Sequence, residues 1–201
     1  MKIFFSPASP FVRKVLVCAH ELGLAERIER LKCAAHPVNR DQTIVAHNPL
    51  GQVPTFFADE GRTLYDSRVI CEYLDTLASG HLFGSGDARW RALTEQSLGD
   101  GLLNAALLTR YETAWRPAHL LWEDWAKSQF DKVRSALDRI ETWAAHFGER
   151  VDIGTITIGC ALGYLDFRFR DFDWRSSYPK TASWFAQFGQ RPSMLVTALQ
   201  G

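Results

Sequence analysis

The sequence has no apolar run long enough to cross a bilayer, no excess charge of either sign, and no cysteine pair at metal or redox spacing. Its longest apolar stretch, Ile153 to Leu165, is about 13 residues with polar interruptions. A spanning helix needs ~20, so the stretch predicts a buried core helix and no membrane association. Lys+Arg and Asp+Glu stand at 23 each. A nucleic-acid binder shows a basic excess or stripe, whereas the most charge-dense stretch, 166–175, mixes both signs. The four cysteines, Cys18, Cys33, Cys71 and Cys160, form no C-x-x-C motif and have no zinc-finger partners. Their apolar or helical flanks predict buried free thiols, which suits a reducing cytosol. Met1–Phe5 is too short an apolar stretch for a signal peptide, so a cytoplasmic location is expected. His20-Glu21 lacks the second histidine of a zinc-protease helix, and Gly84-Ser85-Gly86 lacks the lysine of a phosphate loop.

What is present is an ordinary globular composition, 46% hydrophobic over 201 residues, enough for one domain or two small ones. Residues 1–77 alternate short apolar runs with helical patterns. Strands are expected at Lys2–Phe5 and Arg27–Leu31, and a hairpin at Thr55–Ala58 and Thr63–Tyr65 around Asp59-Glu60-Gly61. Helices are expected at Pro10–Leu22, at Asp41–Ala46 and at Ser67–Leu77. The order βαβαββα predicts a layered α/β domain with helices on both faces of the sheet. Residues 78–87, rich in Gly and Ser, read as a linker. Residues 88–201 show no clear strand and read as an all-helical domain, with helices over Ala88–Tyr111, Phe130–Phe147, Thr155–Asp166 and Thr181–Phe188.

Three places carry chemistry. Pro54 stands where a strand begins, and a proline there cannot donate to a sheet ladder. A cis Val53-Pro54 bond, accessible to X-Pro alone at low cost, would turn the N–H and C=O of Val53 outward, available to a bound peptide backbone. Ser9 precedes Pro10 and the first helix, an N-cap followed by a favourable first residue. Its hydroxyl can accept from the helix and still donate its proton to a thiolate, and a helix N-terminus lowers thiol pKa values. Asp66-Ser67 opens the third helix. The helix end and the Ser67 hydroxyl suit a carboxylate, and Asp66 suits an ammonium. A thiol at one end, a peptide backbone in the middle and a zwitterionic amino acid at the other are the groups of glutathione.

On these residues the chain resembles the cytosolic glutathione S-transferase superfamily, as a bacterial serine-type member. The resemblance runs through Ser6–Val15, Asn48–Pro54 and Asp66–Leu74 in the first half, and Gly159–Arg168 and Arg191–Met194 in the second. It implies a thioredoxin-like N-terminal domain, an all-α C-terminal domain, glutathione as co-substrate without a metal, a homodimer and a role in detoxification. Pro54 matches the family's cis-proline, and Val53 the residue that pairs with the cysteinyl backbone. Asp66 and Ser67 match the γ-glutamyl site, and Gln52 is a further partner for the glutathione backbone or glycyl end. Ser9 falls at the catalytic hydroxyl of serine-type members, with Ser6 as the alternative. Phe4-Phe5 stands where tyrosine-type members carry their hydroxyl, and the nearest cysteine, Cys18, is two turns into the helix. Thiolate activation is therefore expected over mixed-disulfide chemistry.

The second substrate, a small hydrophobic electrophile, is expected between the domains near Tyr111, Trp115 and Trp174. Asp100 and Asn104 are candidates for reaching glutathione across a dimer interface, or else belong to a solvated helix face. His36 and Arg40 are candidates for the glycyl carboxylate, or else ordinary loop residues. Family members carry a Ser/Thr-x-x-Asp capping box before the buried helix of the second domain. Here the matching residues are Asp152-Ile153-Gly154-Thr155, with the two types exchanged, and an intact cap is still expected. The resemblance leaves a non-catalytic glutathione-fold binding or regulatory protein, and a glutathione-dependent reductase or isomerase, as alternatives to a transferase.

Overall fold

The structure, a computed structural model, describes residues 1–201. Two compact units divide the chain. The first comprises Met1–Ser85 together with Pro192–Gly201, and the second Gly86–Arg191.

In the first unit, strands β1 (Lys2–Phe5), β2 (Glu29–Lys32), β3 (Phe56–Phe57) and β4 (Thr63–Leu64) form one sheet in the order β2-β1-β3-β4. β2 runs parallel to β1, and β3 and β4 are antiparallel to their neighbours. Helices α1 (Pro10–Glu21), α2 (Gln42–Val45) and α3 (Ser67–Leu77) complete the βαβαββα order. Side chains alternate across a strand, so the register sorts two faces. Ile3 and Phe56 share one face, where Phe56 meets Tyr73 of α3 and α1 packs on α3. Phe4 and Phe57 share the other, against His47 just beyond α2. β2 begins two residues later than its partial alternation predicts, because Ala25–Arg27 closes a 3₁₀ turn first. Gly23, at φ 68°, ends α1 in the left-handed conformation that glycine adopts without penalty.

The second unit is helical throughout: α4 (Gly86–Ala114), α5 (Glu123–Ala144), α6 (Ile153–Arg168), α7 (Trp174–Ser177) and α8 (Pro179–Phe188). α6 is apolar all round and buried along nearly its whole length, as a central core helix should be. It lies close on α4 because Gly154 has no side chain. A Cβ there would stand 2.7 Å from the Cβ of Glu95 and 3.0 Å from the Ala92 carbonyl. The exchanged capping box is intact: Asp152 accepts from the Thr155 N–H and Thr155 Oγ1 accepts from the Asp152 N–H, both at 3.0 Å. Arg150 clamps this corner. It donates both ends of its fork to Glu95, at 2.9 and 3.0 Å, and pairs with Asp152. No helix is long and apolar enough to cross a membrane.

One boundary differs from the sequence reading. Helix α9 (Pro192–Val196) and the residues after it group with the first unit rather than the helical one. Long-range bonds hold them there. Arg13 Nη2 donates to the Met194 carbonyl at 3.0 Å, Ser193 bonds to Glu21, and the Gln200 N–H donates to the Pro7 carbonyl at 3.1 Å. None of these is a local pattern, so hydropathy along the chain does not reveal them.

Candidate active site at one end of the sheet

The register brings three predicted positions to one end of the sheet. β1 runs out through Phe5 into the Ser6–Ser9 turn. β3, antiparallel to it, enters at that end from Val53-Pro54, with the Phe4 N–H donating to the Thr55 carbonyl at 2.9 Å. β4, antiparallel to β3, exits at the same end into Asp66. Ser9, Val53 and Asp66 therefore follow one another across that end in strand order.

Ser9 caps α1. Its Oγ accepts from the Val12 N–H at 3.3 Å, and its own N–H donates to the Ser6 carbonyl at 3.1 Å. Ser9 is half-buried, and its hydroxyl proton is committed to no protein acceptor. Ser6 is also half-buried, and the two serines border one cavity of about 150 Å³. The Val53-Pro54 bond is cis. Backbone bonding skips Val53: the carbonyl of Gln52 and the backbone of Thr55 are engaged, while the N–H and C=O of Val53 make no hydrogen bond within the protein. Asp66 caps α3, accepting from the Arg68 N–H at 2.9 Å, and Ser67 beside it is 2% exposed. Tyr65-Asp66 is a second cis bond, which nothing in the sequence signalled. Gln52 has an exposed side chain in the same loop as Val53.

The residue missed by sequence reasoning is Asn48. It is 1% exposed and braces the loop from inside. Its amide donates to Thr55 Oγ1 at 3.0 Å and to the Gln52 carbonyl at 3.3 Å, and its Oδ1 accepts from the Leu50 N–H at 3.0 Å. The Asn-Pro dipeptide was the available signal, since asparagine commonly bonds backbone two residues on. Arg40 bonds the Pro49 carbonyl and lies 3.2 Å from where a Cβ at Gly51 would stand, so it supports the loop. His36 Nδ1 accepts from the Val38 and Asn39 N–H groups.

Three of the cysteines are buried as expected, but Cys33 is half-buried and donates to the Phe5 carbonyl at 3.4 Å. Burial is the main cause that raises its thiol pKa, with the Asp41 charge adding to it, so its environment disfavours the thiolate. No cluster of three or more His, Cys, Asp or Glu could hold a metal ion.

In the helical unit, Tyr111 is half-buried near the end of α4, and burial raises its hydroxyl pKa. Trp115, one turn on, is 51% exposed. Trp174 is core and not a pocket residue: it is 1% exposed and donates from its ring nitrogen to Asp166 at 2.9 Å. Asn104 is exposed, whereas Asp100 is buried at 2% exposure and does not belong to a solvated face. A cavity of about 440 Å³ lies against Trp90, Trp143 and His146. Of the two arginines that border it, Arg91 and Arg150, Arg150 is already committed to Glu95 and Asp152.

Comparison with known proteins agrees with this geometry. Residues 8–77 match the glutathione S-transferase N-terminal domain and residues 107–187 the C-terminal domain. The chain is 35% identical to the uncharacterized GST-like protein YibF of Escherichia coli K12, over 84% of this chain and 83% of that one. A glutathione transferase family member from Pseudomonas fluorescens Pf-5, solved with bound glutathione, superposes with a TM-score of 0.96 at 43% identity, covering 100% of this chain and 99% of that one. The same relative, solved with S-(propanoic acid)-glutathione, gives a TM-score of 0.91 at 42% identity, covering 99% of each chain. Similarity also extends to elongation factor 1-gamma of Danio rerio, at 25% identity over 81% of this chain, which spans only 39% of that protein. Two matched domains and a fold that superposes end to end show that the chain belongs to the glutathione S-transferase family.

Proposed function

We propose that this protein is a glutathione transferase in which Ser9 stabilises the glutathione thiolate for attack on a small electrophile. One observation carries the reading. The capped hydroxyl of Ser9, the unbonded backbone of Val53 and the α3 start at Asp66-Ser67 stand in strand order at one end of the sheet. Glutathione presents a thiol, a peptide backbone and a zwitterionic γ-glutamyl group in the same order. Ser9 accepts from Val12 and keeps its proton for the sulfur. Val53 pairs with the cysteinyl backbone, Asp66 takes the ammonium, and Ser67 with the α3 N-terminus takes the carboxylate. Gln52 reaches the glycyl end.

In this mechanism the protein lowers the thiol pKa and orients the sulfur, and the thiolate then attacks an electrophilic carbon. The relative that holds an S-substituted glutathione supports conjugation at sulfur. Tyr111 and Trp115 are our candidates to meet the second substrate. A homodimer in the cytoplasm, with a role in detoxification, completes the proposal.

Similarity to elongation factor 1-gamma favours a second reading, a glutathione-fold protein that binds or regulates without turnover. Two measurements on the intact protein separate them. A transferase is stabilised by millimolar glutathione in a thermal melt and conjugates it to 1-chloro-2,4-dinitrobenzene. Stabilisation without turnover on a panel of electrophiles supports the second reading, and the absence of both removes each of them.

A further inference from the structure

We propose that the cavity beside Ser9 is an anion-binding subsite, and that the electrophile conjugated here carries a carboxylate. The second half rests on the transferase reading, and the first stands without it. The cavity, about 150 Å³, is walled by the Ser6–Ser9 turn, by Arg13 of α1, by Arg30 of β2 and by residues 196–200. Two arginines and no Asp or Glu line it.

Arg13 is the telling residue. It is 8% exposed, and buried charges are ordinarily paired. Its one described bond runs from Nη2 to the neutral Met194 carbonyl, and its buried Nε has no acceptor. A guanidinium has five N–H donors, so one carbonyl leaves Arg13 short of both partners and counter-charge. Arg30 is exposed at the same cavity and lies over the Phe5 ring, 5.0 Å from its centroid. A cation–π contact uses none of the guanidinium's N–H donors, which stay available for a bidentate acceptor. Neither arginine pairs with a carboxylate, whereas Arg116, Arg150 and Arg175 all do. The hydroxyl of Ser6 borders the same space and can donate into it. The charged groups at this cavity are both cations, and a group of negative charge is what the set lacks.

Size narrows the class. The cavity has the volume of roughly five waters, which suits a carboxylate on a chain of two or three carbons. With a short α,β-unsaturated carboxylate the step balances without a further reactant. The thiolate sulfur forms a bond to the β-carbon, and the π pair of the C=C bond moves toward the α-carbon and carboxylate. The α-carbon then takes up the proton that the thiol released. Charge builds on the carboxylate between the two arginines, where fixed donors stabilise it most.

The test uses matched acid and amide probes. Propanoate should raise the melting temperature of the glutathione-free protein while propionamide does not, and Arg30→Gln should abolish that rise. In glutathione conjugation, corrected for the uncatalysed rate, the kcat/KM ratio of acrylate to acrylamide should fall about tenfold or more in Arg30→Gln, the value of a hydrogen bond to a charged group. Arg30→Lys should restore part of it. Arg30 is chosen because it is exposed, whereas Arg13 also holds the tail segment. A ratio unchanged in Arg30→Gln, or equal stabilisation by propanoate and propionamide, overturns the anion subsite even if neutral electrophiles are turned over. Propanoate binding that depends on Arg30, with no turnover of any electrophile, instead overturns the transferase reading and upholds the subsite.

Discussion

Two helix starts in this molecule obey the same capping rule and differ in what surrounds them. At α6, Asp152 and Thr155 satisfy each other's backbone at 3.0 Å, and Arg150 and Glu95 close over them, so no polar capacity is left. At α1, the Ser9 hydroxyl makes a single longer bond of 3.3 Å, and the residue stays half-buried with its hydroxyl proton uncommitted. A cap whose atoms are all committed holds a helix in place. A cap with one uncommitted proton beside a cavity can also act on a ligand. Neither residue type nor spacing separates the two roles, since both positions are good N-caps in sequence. Their surroundings do.

Exchanging the two effects is the strongest way to break the comparison. Ser9→Ala should lower turnover roughly tenfold to a hundredfold, the 1.5–3 kcal/mol of a hydrogen bond to a charged group. It should leave glutathione binding in place, as steady-state kinetics beside a glutathione titration would show. Turnover that survives in Ser9→Ala and is lost in Ser6→Ala would move the catalytic hydroxyl three residues upstream.

Asp152→Ala should do the reverse. Losing a cap that also meets Arg150 should cost about 2 kcal/mol of stability, the upper end for a lost N-cap, with turnover per folded molecule unchanged. A melt that matches wild type would mean that Thr155 and Arg150 hold the corner without it.

The smallest effect sharpens the comparison with a third cap. Glu141 of α5 accepts from the Lys180 and Thr181 N–H groups at 2.9 and 2.8 Å and from Thr181 Oγ1 at 2.7 Å, closing the start of α8 from a distant element. Burial pushes its carboxyl up, but these hydrogen bonds outweigh burial and the net shift is downward. A carboxyl with a lowered folded pKa contributes stability above its unfolded value, about 4.3, and loses it as pH falls through the folded value. Glu141→Gln should therefore melt slightly below wild type at pH 7, and the gap should close as the pH drops below about 4. A gap independent of pH would assign the effect to packing.

Much of this was legible beforehand. The sequence pattern predicts the third helix residue for residue at Ser67–Leu77, and it marks the exchanged capping box as a working cap. Both are local patterns with local causes. Asn48 escaped because its role appears only when the Pro49–Pro54 loop folds back over it. Arg13 escaped for a different reason. In sequence it is one more cation on a helix, and its isolation depends on which carboxylates fail to reach it in three dimensions.

Residues 196–200 have a consequence for the order of synthesis. They wall the cavity beside Ser9, yet the whole helical unit lies between them and the strands they join. A chain emerging from the ribosome presents β1 to α3 first and then builds the helical unit. Only afterwards does it supply the segment that completes the cavity. Domains generally fold as they emerge, so the sheet can form early while this binding surface is finished late.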